Sequence, residues 1–305
     1  MNDMKTPVAL LIFKRPETTA KVFEAIRQAK PPKLLVVADG PRPDKPGEAE
    51  KCAAARAIID TVDWECEVLK NYSEINLGCG LRPATGIDWV FEQVEEAILF
   101  EDDCLPHPTF FQFCEELLER YRDDERVMSI AGTNLLGERK SPEQSYYFSC
   151  FGGNWGWASW RRAWKYFDYD IKQWPEILES RFLENYLRVP KYYVFWQKIF
   201  QNAYQEQNRS CWDYQWLLAC WLQHGLKIVP EVNLITNIGF GANATHTFST
   251  ENPLGKMKTQ EIAFPLKHPP FMIRDVEADT LFQEKFFDNR SLLTKVKNKF
   301  QKSFA

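Results

Sequence analysis

Short apolar runs alternate with amphipathic segments through the first third of the chain. The strands predicted from this pattern lie at 8–13, 34–38, 67–69 and 97–100. Runs without polar members are typical of strands that are buried on both faces of a parallel sheet. Between them, apolar positions recur at helical spacing, as in the helix predicted to begin at Pro16. The alternation predicts an α/β fold with a mixed, mainly parallel sheet flanked by helices.

The pattern becomes less regular after the fourth predicted strand. The sequence predicts a helix rich in Phe and Leu, then a strand over Val127–Ala131, and an amphipathic helical segment over 172–207. A strongly apolar helix is predicted to begin near Ser210 and to end at Gly225, a residue type common at helix C-terminal caps. We divide the chain into three parts, namely the two halves of one domain, 1–104 and 105–250, and a C-terminal extension, 251–305.

Three consecutive carboxylates, Glu101, Asp102 and Asp103, follow the fourth predicted strand. Ligands of open α/β sheets bind beyond the carboxyl ends of the strands, so these side chains should face the expected crevice. Adjacent carboxylates repel one another, and a bound Mn²⁺ or Mg²⁺ would relieve that repulsion. The alternatives are a solvated turn, or capping of the helix that follows Pro108. We favour metal binding because a solvated charge run needs no buried strand before it.

Asp213 lies in the first turn of the apolar helix predicted to begin near Ser210. The spacing Ser210-x-x-Asp213 is that of a capping box, in which a carboxylate only satisfies backbone N–H groups. Alternatively, a carboxylate held rigidly at a helix start and facing the crevice can act as a general base. The sequence leaves both roles open.

Glycines alternate with large aromatic side chains between Phe151 and Trp160. An indole face packs well against the C–H face of a sugar ring, so Trp155, Gly156 and Trp157 are candidates for a loop that shapes a ligand site. The alternative is an aromatic core segment with close backbone packing.

Two further candidates lie toward the C-terminal end. His246 lies between two threonines in a Gly-rich segment and is a candidate second metal ligand, although a lone histidine is more often an ordinary surface or core residue. The last residues carry basic side chains without an acid, at Arg290, Lys295, Lys297, Lys299 and Lys302. This tail is a candidate for peripheral contact with an anionic membrane, the alternative being an ordinary terminal helix.

Composition argues against several function classes. The formal net charge of −4 gives no electrostatic footprint for nucleic acid. The eight cysteines include no C-x-x-C pair, which disfavours a zinc ribbon and fits a reducing compartment. The chain has no G-x-G-x-x-G fingerprint and no P-loop, so nicotinamide or flavin chemistry is not expected. We expect a cytoplasmic protein, because no segment resembles a signal peptide or a membrane span.

The ordered set of motifs resembles the GT-A-fold glycosyltransferases, in particular bacterial family 2 enzymes and the metal-dependent N-acetylglucosaminyltransferase I group. The set comprises Lys14-Arg15-Pro16-Glu17, Asp39-Gly40, Asn76-Leu77-Gly78, Glu101-Asp102-Asp103, the Gly/Trp segment and Trp212-Asp213. The resemblance covers residues 7–247. It implies a GT-A, Rossmann-like fold in which the first half binds a nucleotide-sugar donor and the second half binds the acceptor.

The resemblance also implies roles for residues on the donor side. Arg15 and Asp39 would border the nucleotide base and ribose of a UDP-sugar, with Asp39 accepting a hydrogen bond from the uracil N3–H. Arg82 would be the basic contact of the diphosphate. Glu101 would belong to the acidic motif, and Asp102 would approach the ribose or the donor sugar.

In the same resemblance, Asp103 would bind the Mn²⁺ or Mg²⁺ that bridges the diphosphate, and Asp213 would take the proton from a hydroxyl of a saccharide or lipid-linked acceptor. The implied reaction is sugar transfer with inversion, because the base acts on the face opposite the leaving group. Two alternatives are open. One is a metal-dependent hydrolase of nucleotide sugars, which needs a water in place of an acceptor site. The other is a non-catalytic carbohydrate-binding protein that uses the Trp-rich segment.

Overall fold

The computed structural model of the chain describes residues 4–137, 143–205, 211–240 and 257–285. The strands are β1 (Val8–Ile12), β2 (Lys33–Ala38), β3 (Glu67–Tyr72), β4 (Glu96–Glu101), β5 (Cys104–Pro106), β6 (Val127–Ala131), β7 (Tyr146–Ser149), β8 (Trp157–Trp160), β9 (Leu226–Pro230) and β10 (Ile235–Asn237). The helices are α1 (Pro16–Ala29), α2 (Glu48–Ile59), α3 (Gly78–Gln93), α4 (Thr109–Arg120), α5 (Arg161–Trp164), α6 (Trp174–Glu179), α7 (Phe182–Leu187), α8 (Pro190–Gln205), α9 (Asp213–Leu222) and α10 (276–285).

Eight of these strands form one mixed sheet in the order β3-β2-β1-β4-β8-β6-β9-β7. Strand β1 pairs in parallel with both β2 and β4, and β2 pairs in parallel with β3. The chain therefore leaves β1 toward β2 and β3 on one side and returns to β4 on the other side. This reversal creates a topological switch point between β1 and β4, where α/β proteins bind their ligands.

Both faces of the sheet are covered, which explains why the central strands have uninterrupted apolar sequences. Helices α1, α2 and α4 pack on one face, and α3, α5 and α9 pack on the other. A third apolar cluster lies among α6, α7, α8 and α9. The α/β architecture with a mixed sheet flanked by helices, predicted from the sequence, is confirmed.

The two predicted halves of the chain share this sheet. Strand β8 pairs antiparallel with β4 of the first half and with β6 of the second half. Strand β9 continues the sheet, pairing in parallel with β6 and antiparallel with β7. Part of the C-terminal extension packs on this second half, where the Asp279 carboxylate accepts a hydrogen bond from the Ser149 hydroxyl. The structure thus ties 4–104 and 105–240 together by continuous backbone pairing.

Residues Trp157–Trp160 form strand β8, and their side chains are buried, as in the core-segment alternative for this part of the Gly/Trp segment. The predicted end of the apolar helix at Gly225 is wrong. Helix α9 ends at Leu222, and the residue with a left-handed conformation is His224 rather than Gly225. Glycine is nevertheless required at position 225, since a Cβ there would lie 2.1 Å from the Met128 Cγ.

Across 4–137, 143–205, 211–240 and 257–285, no helix combines the length and the apolar character needed to cross a bilayer. None of the eight cysteines, all of which lie in these described ranges, forms a disulfide bond.

Candidate functional site

A cavity of about 390 Å³ opens at the switch point, beyond the carboxyl ends of β1, β2 and β4. We call it the switch-point cavity. Its lining includes Arg15, Asp39, Asn76, Arg82, Glu101 and Asp102. The structure therefore brings together the predicted donor-side residues, which are up to 87 positions apart in the sequence. They meet because parallel strands present their carboxyl ends at the same edge of the sheet.

The three acids at the end of β4, of which Asp102 and Asp103 are buried and Glu101 is partly buried, share one basic partner. The Arg15 guanidinium pairs with Asp103, at 2.6 Å from Nη1 to Oδ2, and with Asp102, at 3.3 Å from Nη2 to Oδ1. The backbone N–H of Phe13 donates to Asp102 Oδ2 at 3.2 Å. Burial raises the pKa values of Glu101 and Asp102, and repulsion between neighbouring carboxylates adds to the effect at Glu101. One guanidinium faces three carboxylates, so an added cation is favoured here.

The donor atoms at this position suit a hard divalent cation. Ligand atoms of Glu101, Asp103 and Cys104 lie within 4.8 Å of one another. Burial raises the pKa of the Cys104 thiol well above its usual value, and its Sγ lies 3.6 Å from Asp103 Oδ1 as a hydrogen-bond donor. Two of the three residues offer carboxylate oxygens, the ligands preferred by Mg²⁺ and Mn²⁺. The residues therefore fit the predicted metal.

A segment that follows β10 lies over the Asp103 carboxylate. The Asn237 amide lies 3.4 Å from Asp103 Oδ1, and the Ile238 backbone N–H donates to the Asp103 carbonyl at 2.8 Å. At Gly239, a Cβ would lie 2.0 Å from Asp103 Oδ2 and 2.5 Å from Arg15 Nη1. Glycine at this position allows the backbone to approach the ion pair. The antiparallel pairing of β10 with β5 holds the segment in place.

Gly239→Ala is expected to push the Asp103 carboxylate out of position and to weaken Mn²⁺ binding. Forcing a methyl group into a filled site of this kind costs about 1–3 kcal/mol of folding free energy. Urea unfolding would measure the loss of stability, and Mn²⁺ titration of the folded protein would measure the loss of affinity. An unchanged free energy of unfolding together with an unchanged Mn²⁺ affinity would contradict the close packing of Gly239 against Asp103 and Arg15.

Asp39 is held by four donors of the protein itself. Its Oδ1 accepts from the backbone N–H groups of Gly40 and Leu77 at 2.9 and 2.8 Å. Its Oδ2 accepts from the Asn76 amide and the Gly78 backbone N–H, both at 3.0 Å. A carboxylate has about four acceptor positions, so these contacts fill it. Asp39 therefore shapes the loop that begins α3. Its contact with uracil stays a prediction, because the uracil N3–H would have to replace one of these four hydrogen bonds.

The basic residues around the cavity differ in how freely they could bind a diphosphate. Arg82 is buried, and its guanidinium donates to the Ala38 carbonyl at 3.1 Å and to Asn71 Oδ1 at 2.7 Å. Lys14 and Arg42 also line the cavity, and their side chains are 29% and 40% exposed. The sequence alone assigns no role to either residue, although Lys14 belongs to the motif Lys14-Arg15-Pro16-Glu17. Their only signal is position, because Lys14 follows β1 directly and Arg42 lies in the loop after β2.

Lys14 and Arg42 converge on the buried carboxylate of Glu48, which is 4% exposed. Hydrogen bonds from Arg42, together with the nearby Lys14 ammonium, hold the pKa of Glu48 at about 2. Because this folded-state pKa is depressed below its usual 4.5, the contribution to stability is complete above that pH and is lost as the pH falls toward 2.

Glu48→Gln is therefore expected to destabilise the fold by about 1–2 kcal/mol near neutral pH, a value reduced by the solvent exposure of both cations. The difference between wild type and variant should shrink as the pH is lowered. Urea unfolding over a pH series would measure it, with Glu50→Gln on the exposed face of α2 as the control. A stability difference between wild type and Glu48→Gln that stays constant with pH would contradict the depressed pKa of Glu48.

Asp213 begins helix α9 and lies near the acidic cluster. Helix α9 has no side-chain cap at its N-cap residue, Trp212. Ser210, the other member of the predicted capping box, lies outside the described residues. Burial raises the pKa of Asp213, and the negative charge of Asp213 contributes to the raised pKa of Glu101. The two carboxylates therefore interact electrostatically although they come from opposite halves of the sheet.

A second cavity, of about 220 Å³, lies beside Asp213. We call it the aromatic cavity. Its lining includes Trp155, Trp196, Asp213, Tyr214, Lys227 and Phe282. Of the three predicted loop residues, Trp155 borders this cavity and packs edge-on against Phe240, with the ring centroids 5.7 Å apart. Trp157 instead lies in the core, 3% exposed and stacked on Trp212.

Gly156 links these two tryptophans and adopts φ of +55°, a left-handed conformation that favours glycine. Its carbonyl accepts from the Gly132 backbone N–H at 2.8 Å. A Cβ at position 156 would lie 2.5 Å from the Ile235 Cδ1. Gly156 therefore turns the chain so that Trp155 faces the cavity while Trp157 enters the sheet.

Two of the sequence predictions fall outside the described residues. These are His246 as a metal ligand and the basic tail with Arg290, Lys295, Lys297, Lys299 and Lys302 as a membrane contact. Comparison with known proteins adds no relative, since no protein-family model matches the chain and a search of curated proteins gives no match.

Proposed function

We propose that this protein is a metal-dependent glycosyltransferase that moves a sugar from a nucleoside-diphosphate donor, a UDP-sugar, to a saccharide acceptor. The observation that carries the proposal is a pair of cavities whose carboxylates, Glu101 in one and Asp213 in the other, interact electrostatically. One, at the switch point of the sheet, is lined by buried carboxylates and basic side chains. The other is aromatic and is lined by Asp213. A two-substrate transfer needs a donor site and an acceptor site of this kind.

The donor side of the proposal rests on charge. Glu101 and Asp103 would hold Mn²⁺ or Mg²⁺ through their carboxylate oxygens. When bound, the cation supplies Lewis-acid stabilisation of the charge that develops on the departing diphosphate. Lys14 and Arg42, at the rim of the cavity, are positioned to attract phosphate oxygens. Asp39 and Asn76 shape the loop against which the nucleoside would lie.

The acceptor side rests on Asp213. An acceptor hydroxyl in the aromatic cavity would give its proton to the Asp213 carboxylate as its oxygen bonds to the anomeric carbon. The bond from that carbon to the diphosphate oxygen breaks at the same time, and the electron pair leaves with the nucleoside diphosphate. Attack from the side opposite the leaving group inverts the anomeric configuration. Burial raises the pKa of Asp213, which makes its carboxylate a stronger base.

Product analysis with a panel of UDP- and GDP-sugars, each with and without saccharide acceptors and with Mn²⁺ or EDTA, tests the proposal. We expect a glycosylated product and free UDP, both of which require Mn²⁺ and acceptor. Release of sugar and UDP at the same rate without acceptor would instead establish a hydrolase. Saccharide binding that is indifferent to EDTA, with no turnover of any donor, would establish a carbohydrate-binding protein.

A further inference from the structure

Lys227, in the second position of β9, is a buried cation that the proposed reaction does not use. Its side chain is 1% exposed, and its Nζ has no hydrogen-bond partner among the described residues. The Nζ lies 5.8 Å from the centroid of the Trp216 ring. An ammonium group removed from water costs several kcal/mol unless a negative charge offsets the loss of hydration. The charges around Lys227 therefore determine which ligands this position favours.

The aromatic cavity is lined by more basic than acidic side chains among the described residues. Among the described residues that line it, the charged side chains are Asp213, Lys227 and Lys285. Lys285 lies on α10 at the exposed rim, where its Nζ donates to the Leu135 carbonyl at 2.6 Å. Asp213 can neutralise only one of the two lysines. Burial lowers the pKa of Lys227, and an anion bound in the cavity would oppose that effect. With both lysines protonated, one positive charge is left for a ligand.

Lys227 lies close under the cavity surface. Gly152 lines the cavity, and a Cβ at this glycine would lie 3.0 Å from the Lys227 Cδ. The backbone of residue 152 therefore packs directly on the lysine side chain. The walls of the cavity are apolar and aromatic, so the field of a buried charge is weakly screened there.

We infer that the aromatic cavity binds an acceptor saccharide that carries an anionic group, a carboxylate or a phosphate. The inference rests on the proposed function, which assigns this cavity to the acceptor. A neutral sugar ring packs on an aromatic face, which Trp155 can provide without any cation. An anion held near the rim interacts with Lys285 directly and with Lys227 through the field. The two lysines thus select a charged acceptor over a neutral one.

The test compares sugars that differ in charge but hardly in shape. Methyl β-D-glucuronide and methyl β-D-glucoside are titrated by calorimetry into the UDP- and Mn²⁺-loaded protein, and glucose 6-phosphate distinguishes a phosphate from a carboxylate. We expect the better of the two anionic probes to bind about tenfold more tightly than the glucoside, as for one charge-assisted contact. In Lys227→Met and in Lys285→Met the preference should fall to about two- to threefold. Lys51→Met, an exposed lysine of α2, should retain it.

Several results would overturn the inference. One is equal affinity of the wild type for charged and neutral probes, and another is no binding of either anionic probe at millimolar concentration. A third is a preference for the anionic probe that survives in both Lys227→Met and Lys285→Met. A Lys227→Met protein that loses both probes equally would show that Lys227 serves Asp213 alone. If Lys227→Met fails to fold, Lys285→Met at the exposed rim decides the question. UDP is titrated into the same samples, so that UDP binding without a charge preference refutes this inference only, whereas absence of UDP binding refutes the proposed function.

Discussion

Asp213→Asn is expected to lower kcat by about 10²- to 10⁴-fold and to leave UDP affinity within about twofold of wild type. Asparagine keeps the size of the side chain but cannot accept the proton of the acceptor hydroxyl. UDP should be unaffected because Asp213 lines the aromatic cavity and not the switch-point cavity. Steady-state kinetics and UDP titration of the same samples would measure the two effects. Glu92→Gln, on the exposed surface of α3, is the control.

The ionisation of Asp213 should also determine the acid limb of the pH profile of kcat, the range in which kcat falls as the pH decreases. Asp213 acts as a base only when it is ionised, and burial raises its pKa above the usual 3.8. The kcat of the wild type should therefore fall as the pH decreases through this raised pKa, and the residual activity of Asp213→Asn should lack that dependence. A variant with nearly full activity, or with the wild-type acid limb, would show that Asp213 is not the base.

Asp103→Asn is expected to weaken Mn²⁺ binding by at least about 10- to 100-fold. The substitution removes one of two carboxylates that would bind the metal and retains the shape of the side chain. Electron paramagnetic resonance of free Mn²⁺ measures the affinity directly, without a donor sugar. Circular dichroism would check that the variant is folded, since the change also removes the contact between Asp103 and Arg15.

Asp279→Asn is a matched control for that experiment. Asp279 is also buried and also pairs with an arginine, Arg274, but it lies on α10 away from the switch-point cavity. Its replacement should affect stability and leave Mn²⁺ affinity unchanged. Equal Mn²⁺ affinity of wild type and Asp103→Asn would rule out metal binding at the end of β4.

The parallel part of the sheet could be predicted from the sequence because burial on both faces leaves a clear signal. Strand β1 is apolar throughout, and β2 and β4 contain the uninterrupted apolar runs 34–38 and 97–100. Polar residues follow each of these runs within two positions. The positions of Arg15, Asp39 and Asp102 at one edge follow from the parallel order of these strands. Their meeting in one cavity is a consequence of topology rather than of any single motif.

The second half was harder to predict, because its strands do not have regular patterns. Strand β8 consists of Trp157–Trp160 and follows a glycine, and this composition is equally typical of a ligand loop. Strand β9 is interrupted by Lys227, and a fully buried lysine is too rare for a sequence pattern to anticipate. The aromatic cavity depends on Lys227 of β9 and on Trp155, which precedes β8, so it could be found only in the three-dimensional structure.

The arginines of the predicted site also show what could not be predicted from the sequence. Arg15 and Arg82 both line the switch-point cavity, yet Arg15 faces the acids whereas Arg82 is engaged by carbonyl and amide oxygens of neighbouring strands. The sequence gives their types but not their hydrogen-bond partners. The structure instead draws attention to Lys14 and Arg42, which are more exposed and share the Glu48 carboxylate.

Calorimetric titration of the wild-type protein with UDP, in Mn²⁺ and then in EDTA, tests the central claim most directly. GDP is the control nucleotide. The proposed donor site predicts UDP binding that requires Mn²⁺, since the cation would join the diphosphate to the acids at the end of β4. UDP should bind at least about tenfold more tightly than GDP if Asp39 accepts from the uracil N3–H as proposed. Failure of the folded protein to bind UDP, or UDP binding that is equally tight in EDTA, would contradict the account of a metal-dependent glycosyltransferase.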